Sequence, residues 1–291
     1  TALDPEDYTG YSGGAITFAP GETTKNITIA TIDDAIYEVT ENFTLNGEVT
    51  SGATANTTAS GTGTITDNDG DAPTLSISDV TVVEGVDAVF AVSLDKPSFE
   101  SITVSLATAE RTALDPEDYT GYSGGAITFA PGETTKNITI ATIDDAIYEV
   151  TENFTLNGEV TSGTTVNTTA SGTGTITDND GDAPTLSISD VSVVEGVDAV
   201  FAVSLDKPSF ESITVSLATA EGTALDPEDY TGYSGGAITF APGETTKNIT
   251  IATIDDAIYE VTENFTLNGE VTSGTTANTT ISGTGTITDN D

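Results

Sequence analysis

Residues 87–108 read DAVFAVSLDKPSFESITVSLAT and contain two short runs in which apolar and small or polar residues alternate. Successive side chains of a β-strand point to opposite faces, so this alternation predicts half-buried strands at 88–94 and 102–108. The intervening Asp95-Lys96-Pro97-Ser98 carries turn residues. Two strands joined by a short connection favour an antiparallel sheet over a helical structure.

The same two-residue periodicity continues through the surrounding sequence, and no window sustains helical periodicity. Turn residues, including Ala130-Pro131-Gly132-Glu133, separate the runs. About seven short strands with turns every 8–12 residues are typical of an all-β, immunoglobulin-like antiparallel β-sandwich. The predicted strands are 74–84, 88–94, 102–108, 126–129, 136–143, 153–160 and 172–177.

The sequence repeats with a period of 111 residues, since the string TALDPEDYTGYSGGAITF begins at Thr1, Thr112 and Thr223. This period is too long for a solenoid repeat and suits tandem domains of ordinary size in an extended array. The predicted domains are a partial unit at 1–69 and complete units at 70–180 and 181–291.

The partial unit lacks counterparts of the first three predicted strands. It is therefore expected not to fold as an independent domain, because the strands that remain would expose an unpaired edge. Two explanations stay open: the missing strands precede Thr1 in a longer polymer, or a neighbouring chain supplies them by strand complementation.

The composition excludes several classes of partner and site. The 291 residues carry a formal net charge of −41, with 47 acidic residues against 6 Lys and Arg, and neither Cys nor His occurs. A chain this acidic has no basic patch for nucleic acid or anionic membranes, and no apolar run approaches the roughly 20 residues that cross a bilayer. Thiolate or imidazole zinc sites, disulfides and His-dependent nucleophiles are excluded as well, and no enzymatic activity is expected.

Acidic residues concentrate at predicted strand ends, in the strings VVEG, PEDY, DDAIYEVTENF and TDNDG. Loops cluster at the two ends of a sandwich, so these carboxylates are expected to converge. Converging carboxylates need protons or a cation, and these strings contain no Lys, Arg or His. Carboxylates together with a backbone carbonyl are typical ligands of Ca²⁺, and they suit Mg²⁺ less well.

These motifs, in this order with TFAPGET and the closing TITDND, resemble the Calx-beta domain, a family that includes calcium-sensing domains of sodium–calcium exchangers and repeats of large bacterial surface proteins. The resemblance implies calcium ligands in each unit. In 70–180 they are Glu84, Asp118, Asp144, Asp145, the Ile147 carbonyl, Glu149, Glu152, Asp178 and Asp180. In 181–291 they are Glu195, Asp229, Asp255, Asp256, Ile258, Glu260, Glu263, Asp289 and Asp291. The partial unit retains Asp7, Asp33, Asp34, Ile36, Glu38, Glu41, Asp67 and Asp69.

The chain departs from the family pattern at Asn179, where the family usually carries an acid. This difference removes one ligand charge and is expected to weaken one site.

The predicted function is a stalk, filament or spacer of a secreted or cell-surface, adhesin-like protein, stiffened by Ca²⁺ and contacting identical neighbouring repeats in the same chain. Near-identical copies favour a mechanical role, because 70–180 and 181–291 differ at only four positions. Two alternatives stay open: a calcium-sensing regulatory module, and adhesin units that bind a glycan or matrix partner directly. The Asn-x-Thr strings at Asn26, Asn42 and Asn56 are possible glycan acceptors, although such strings also arise by chance in Thr-rich strands.

Overall fold

A computed structural model describes residues 1–291, apart from the surroundings of Gly124. Regular structure in this described part consists of β-strands. None of its elements is a helix long and apolar enough to cross a membrane.

The two complete units contain equivalent sets of eight strands. In 70–180 these are β3 (Leu75–Ile77), β4 (Val80–Val83), β5 (Ala88–Leu94), β6 (Ile102–Glu110), β7 (Ser123–Phe129), β8 (Thr135–Ile140), β9 (Glu152–Ser162) and β10 (Thr169–Thr177). In 181–291 they are β11 (Leu186–Ile188), β12 (Val191–Val194), β13 (Ala199–Leu205), β14 (Ile213–Glu221), β15 (Ser234–Phe240), β16 (Thr246–Ile251), β17 (Glu263–Ser273) and β18 (Thr280–Thr288).

Each complete unit is a sandwich of a three-stranded and a five-stranded sheet. The strand orders in 70–180 are β3-β5-β8 and β4-β10-β9-β6-β7, and the same orders recur in 181–291 as β11-β13-β16 and β12-β18-β17-β14-β15. The predicted fold class, tandem all-β sandwiches, is confirmed.

The first predicted strand, 74–84, differs in detail because it is two strands in different sheets. β3 pairs antiparallel with β5, whereas β4 pairs parallel with β10, which is the one departure from antiparallel pairing within the unit's described sheets. The chain passes between the sheets at Ser78, whose carbonyl oxygen lies 2.3 Å from where a Cβ at Gly172 would stand. Only glycine permits this close approach of two backbones.

Aromatic residues fill the space between the two sheets. Phe90 and Phe154 are fully buried and meet edge to face with ring centroids 5.8 Å apart, and Tyr119 stacks on Phe154 at 4.2 Å. Burying each such ring contributes about 1.5–3 kcal/mol. The third unit has its own core around Phe201 and Phe265, so each complete unit has a separate hydrophobic core.

The partial unit has far less regular structure. Its strands in the described part are β1 (Glu41–Glu48) and β2 (Thr58–Ile65), which pair antiparallel. The predicted equivalents of β7 and β8 do not form strands here, and Phe18 is 51% exposed. In the complete unit 70–180, β8 pairs with β5 and β7 pairs with β6, and the described residues 1–69 contain no counterpart of β5 or β6.

Candidate metal centre

Sheet topology brings the acidic strings of a complete unit to one end of the sandwich. Glu84 follows β4 and Asp178 follows β10, and these two strands run parallel, so both acids lie at the same edge. β9 runs antiparallel to β10, which places Glu152 at its first residue opposite Ile176. The loops before β7 and before β9 bring the remaining acids to this end.

One cluster consists of Asp118, Glu149 and Glu152, each with a carboxylate oxygen within 4.8 Å of the others. Asp118 and Glu152 are each only 5% exposed. Asp118 Oδ2 accepts a hydrogen bond of 2.6 Å from the Leu114 amide, which holds the carboxylate in place. The Glu152 Oε2 atom is buried and accepts no hydrogen bond.

A second cluster consists of Glu84, Asp145 and Asp180, with the same spacing of carboxylate oxygens. Glu84 is 4% exposed, and Asp180 Oδ2 is a further buried oxygen without a hydrogen-bond partner. In 181–291 the corresponding group contains Asp289 in place of the Asp145 equivalent, and its members are Glu195, Asp289 and Asp291.

The first cluster recurs in 181–291 as Asp229, Glu260 and Glu263. Glu263 Oε2 is again buried without a hydrogen-bond partner. The same atom is thus unsatisfied in both copies, and buried polar atoms are almost always hydrogen-bonded.

The pKa values of two glutamates in the first cluster are raised. Burial, followed by the nearby negative charge of Asp118, raises the pKa of Glu152 to about 8. Burial, followed by the charges of Asp118 and Asp145, raises the pKa of Glu149 to about 7. Without a cation, such a site retains protons near neutral pH because it cannot hold several negative charges together.

Asn179 forms two hydrogen bonds that the amino-acid sequence did not predict. Its side-chain amide donates a hydrogen bond of 2.8 Å to Asp144 Oδ1, and its backbone amide donates one of 2.9 Å to Glu84 Oε1. Asn290 makes the same two contacts in 181–291, with Asp255 and Glu195. The asparagine thus gives Asp144 a neutral hydrogen-bond donor.

Some of the predicted ligands of 70–180 lie in the two clusters and others lie outside them. The acids of the two clusters come together, whereas Asp144 and Asp178 lie outside them. Asp178 Oδ1 instead accepts a hydrogen bond of 3.2 Å from the Glu149 amide. In 181–291 the predicted acidic ligands outside the clusters are Asp255 and Asp256.

The partial unit keeps part of the first cluster. Asp7 and Glu41 are 5% and 7% exposed, and burial together with the charge of Asp7 raises the pKa of Glu38 to about 7. Among the residues that the structure describes, its acids form no group of three with the spacing found in the complete units. The predicted acidic ligands Asp33, Asp34, Asp67 and Asp69 also lie outside such a group.

The sequence pattern of the Calx-beta domain matches residues 1–71, 66–182 and 177–291. The chain belongs to the Calx-beta family. The three matches follow the three repeats and together span the chain, so the resemblance seen in the motifs is confirmed.

Several curated proteins contain sequence similar to this chain. The chain is 30% identical over 268 residues to adhesion G-protein coupled receptor V1 of Danio rerio, covering 87% of this chain and 4% of the receptor. It is 26% identical over 284 residues to the extracellular matrix organizing protein FRAS1 of Mus musculus, covering 89% of this chain and 7% of that protein. The chain thus spans less than a tenth of the length of these relatives.

Solved structures with a similar arrangement include the CBD12 segment of CALX1.2 and the titin fragment I67–I69. The first is 21% identical, covers 67% of this chain and 79% of its own, and has a TM-score of 0.32. The second is 9% identical, covers 87% of this chain and 75% of its own, and has a TM-score of 0.30.

Proposed function

We propose that the complete units bind Ca²⁺ through their two carboxylate clusters, and that the chain is a calcium-stiffened spacer or stalk of a secreted or cell-surface protein. The observation that carries this proposal is the unsatisfied Oε2 atom of Glu152, buried among Asp118 and Glu149 and repeated at Glu263. A divalent cation would satisfy these oxygens and offset the repulsion among the acids.

The donor set favours calcium. Both clusters consist of carboxylates, and in the complete units, within the described residues, no Lys or Arg forms a salt bridge with them. Ca²⁺ takes about six to eight oxygen ligands in flexible geometry, including bidentate carboxylates, whereas Mg²⁺ keeps several waters. The solved structures similar to this chain also include the calcium binding domain CBD12 of CALX1.1.

The position of the clusters supports a mechanical role. Asp180 ends the complete unit at 70–180, and only residues 181–184 separate it from the next predicted strand. Lys207 of the following unit donates a hydrogen bond of 2.9 Å to the Asp180 carbonyl, so the cluster adjoins the junction. Bound calcium would hold the acids at this end together, and its removal would leave like charges to repel across the joint.

The names of the curated relatives, an adhesion receptor and an extracellular matrix organizing protein, support an extracellular or cell-surface location for this chain as well. Calcium is abundant outside cells, and the chain has no cysteine with which disulfides could stabilise its units. We also propose that residues 1–69 are completed either by strands that precede them in a longer array or by strands added from a neighbouring chain.

The test is the melting temperature of the full chain in millimolar calcium and in chelator. Each site should add RT ln(1 + [L]/Kd), about 4 kcal/mol at a thousandfold excess over Kd. The pair Glu149→Gln and Glu152→Gln should remove most of the gain in 70–180 while 181–291 keeps its response. Glu159→Gln, an exposed change on β9 outside both clusters, is the matched control and should leave the calcium response intact.

Hydrogen exchange assigns each response to its unit, because peptides from 70–180 and 181–291 can be followed separately where the sequences differ. Equal melting temperatures with calcium and with chelator would refute calcium binding. Small-angle scattering then tests stiffness: a narrower distribution of particle lengths in calcium than in chelator is expected, and identical profiles would limit calcium to stabilising single units.

A further inference from the structure

The closing TDND string of each repeat places an asparagine beside the first aspartate of the DDAIYE string. The side-chain amide of Asn179 donates a hydrogen bond of 2.8 Å to Asp144 Oδ1. Asn290 makes the equivalent contact at 2.7 Å in the third repeat, and Asn68 makes it at 2.9 Å in the partial unit. The partial unit contains no counterpart of Glu84, so this contact forms without a complete second cluster.

The neighbours of the Asn179 side chain fix the direction of its amide. The nitrogen faces two acceptors, Asp144 Oδ1 and the Glu84 carbonyl oxygen, the second at 3.5 Å. The reverse orientation would place the amide oxygen against the same two oxygens, with no hydrogen between them. The amide nitrogen therefore lies between two oxygen atoms, where an ion joining them would otherwise lie.

The backbone of a glycine lies against Asp144. A Cβ at Gly85 would stand 2.8 Å from the Asp144 Cβ, a distance too short for any residue except glycine, and Gly85 has a φ of +72°. Gly196 has the same relation to Asp255 in the third repeat, also at 2.8 Å. Asp144 thus packs against Gly85 and bonds to Asn179, and it lies outside both carboxylate clusters.

We propose that Asn179, like its equivalent in the third repeat, replaces a calcium ion beside Asp144, so that each complete unit binds one ion fewer than it would with aspartate at this position. The amide nitrogen supplies a partial positive charge, but it is not a ligand of Ca²⁺, which binds oxygen. An aspartate would add a carboxylate next to Asp144 and the Glu84 carbonyl oxygen, and these are groups that Ca²⁺ binds. This inference rests on the proposed calcium function and identifies a residue that sets the number of ions.

The asparagine also connects three segments without a metal. Asn179 follows β10, Glu84 follows β4 and Asp144 lies in the loop before β9, and the Asn179 hydrogen bonds join all three. Carboxylates that share a cation repel one another when the cation is removed. The contacts of Asn179 need no ion, so this side of the acidic end should keep its arrangement in chelator.

The experiment counts the calcium ions bound per chain by equilibrium dialysis at saturating calcium, for the 291-residue chain and its variants. Asn179→Asp should bind one ion more than the parent chain, and a variant that also carries Asn290→Asp should bind two more. Asn179→Ala should bind as many ions as the parent, because alanine keeps the backbone amide that bonds to Glu84. Asn137→Asp, an exposed change on β8, controls for added charge and should leave the number unchanged.

Thermal melting in chelator gives a second readout. Asn179→Asp should lower the melting temperature by a few degrees, because it exchanges a hydrogen-bond donor to Asp144 for a like charge. Asn179→Ala should lower it by less, since it removes the donor without adding a charge. Saturating calcium should raise the melting temperature of Asn179→Asp by more than that of the parent chain, because the variant binds an additional ion.

Two results would overturn the inference. The first is a number of bound ions that Asn179→Asp leaves unchanged. The second is a loss of bound calcium in Asn179→Ala, since the side-chain oxygen of Asn179 would then be a ligand. A parent chain that binds no calcium would refute the calcium function; the inference would survive that result if Asn179→Asp gained an ion, and would be refuted with it if the variant gained none.

Discussion

Residues 1–52 and 112–163 have the same sequence but different structures. In the second copy, Ser123–Phe129 and Thr135–Ile140 are strands and Phe129 is 1% exposed. In the first, the equivalent segments form no strands and Phe18 is 51% exposed. The difference lies outside these segments: in the complete unit β8 pairs with β5 and β7 pairs with β6, and residues 1–69 contain no counterpart of β5 or β6.

This comparison shows that a segment with period-two alternation can form a strand, but does so only when a partner strand is present. A strand satisfies its backbone hydrogen bonds and buries its apolar face only against neighbouring strands. β1 and β2 do form in the partial unit, because each is the other's partner and both are present.

The largest expected effect comes from supplying the missing partners. Placing a copy of residues 70–111 before Thr1 should convert the equivalents of β7 and β8 into strands and bury Phe18. A small domain gains about 5–15 kcal/mol on folding, so amide exchange at 25–29 should slow by about three orders of magnitude or more. Unchanged exchange in this segment would show that the missing strands are not the cause of the difference.

A smaller loss of stability is expected from replacing Phe154, and none in the complete units from replacing its equivalent Phe43. Phe154 is fully buried and contacts Phe90 and Tyr119, whereas Phe43 is half-buried and stacks on Tyr8 at 4.4 Å. Phe154→Ala should destabilise its unit by about 3–5 kcal/mol, because it leaves a cavity in a closed core.

Phe43→Ala is the matched control, and it should leave the unfolding of the complete units unchanged. Urea unfolding measures both variants. Equal losses of stability for the two variants would mean that the partial unit has a core of its own.

The third expected effect is that acid stabilises the metal-free unit 70–180. Because the pKa of Glu152 is raised to about 8, the folded state keeps a proton that the unfolded chain releases above its ordinary value of 4.5. Without metal, this contribution to stability is therefore present at low pH and lost as the pH rises through about 8. In chelator, the melting temperature of 70–180 should rise by several degrees between pH 8 and pH 5.5.

Glu152→Gln should remove much of that rise, since the amide stays neutral at every pH. Calcium needs the ionised carboxylate, so in calcium the gain on acidification should shrink or reverse. A pH profile of the variant identical to that of the parent chain would assign the acid response to other groups.

The smallest effect concerns surface ion pairs. Lys136 lies 2.9 Å from Glu133 and Lys25 lies 3.0 Å from Glu22, in equivalent turns. Exposed pairs of this kind contribute about 0.2–1 kcal/mol. Lys136→Ala should lower the stability of its unit by no more than this in thermal melting, and Lys25→Ala should have no measurable effect on the complete units. A larger loss from either change would show that the turn is more closely coupled to its core than its exposure suggests.

The sequence by itself determined the repeat, the strand-forming runs and the acidic strings at their ends. These features are local, because alternation, turn residues and charge are properties of neighbouring positions. They sufficed to predict the sandwich, to identify the family and to propose acids as metal ligands.

Only the tertiary structure decided how these parts combine. It divided the predicted strand 74–84 between two sheets, sorted the acids into two clusters and brought Asn179 to Asp144. It also joined Tyr148 to Pro208 and Phe210 of the next unit by main-chain hydrogen bonds, and the equivalents of β7 and β8 in residues 1–69 form no strands. The physical reason is the same in each case: hydrogen bonds and burial need partners that are distant in the sequence, and identical residues differ where those partners differ.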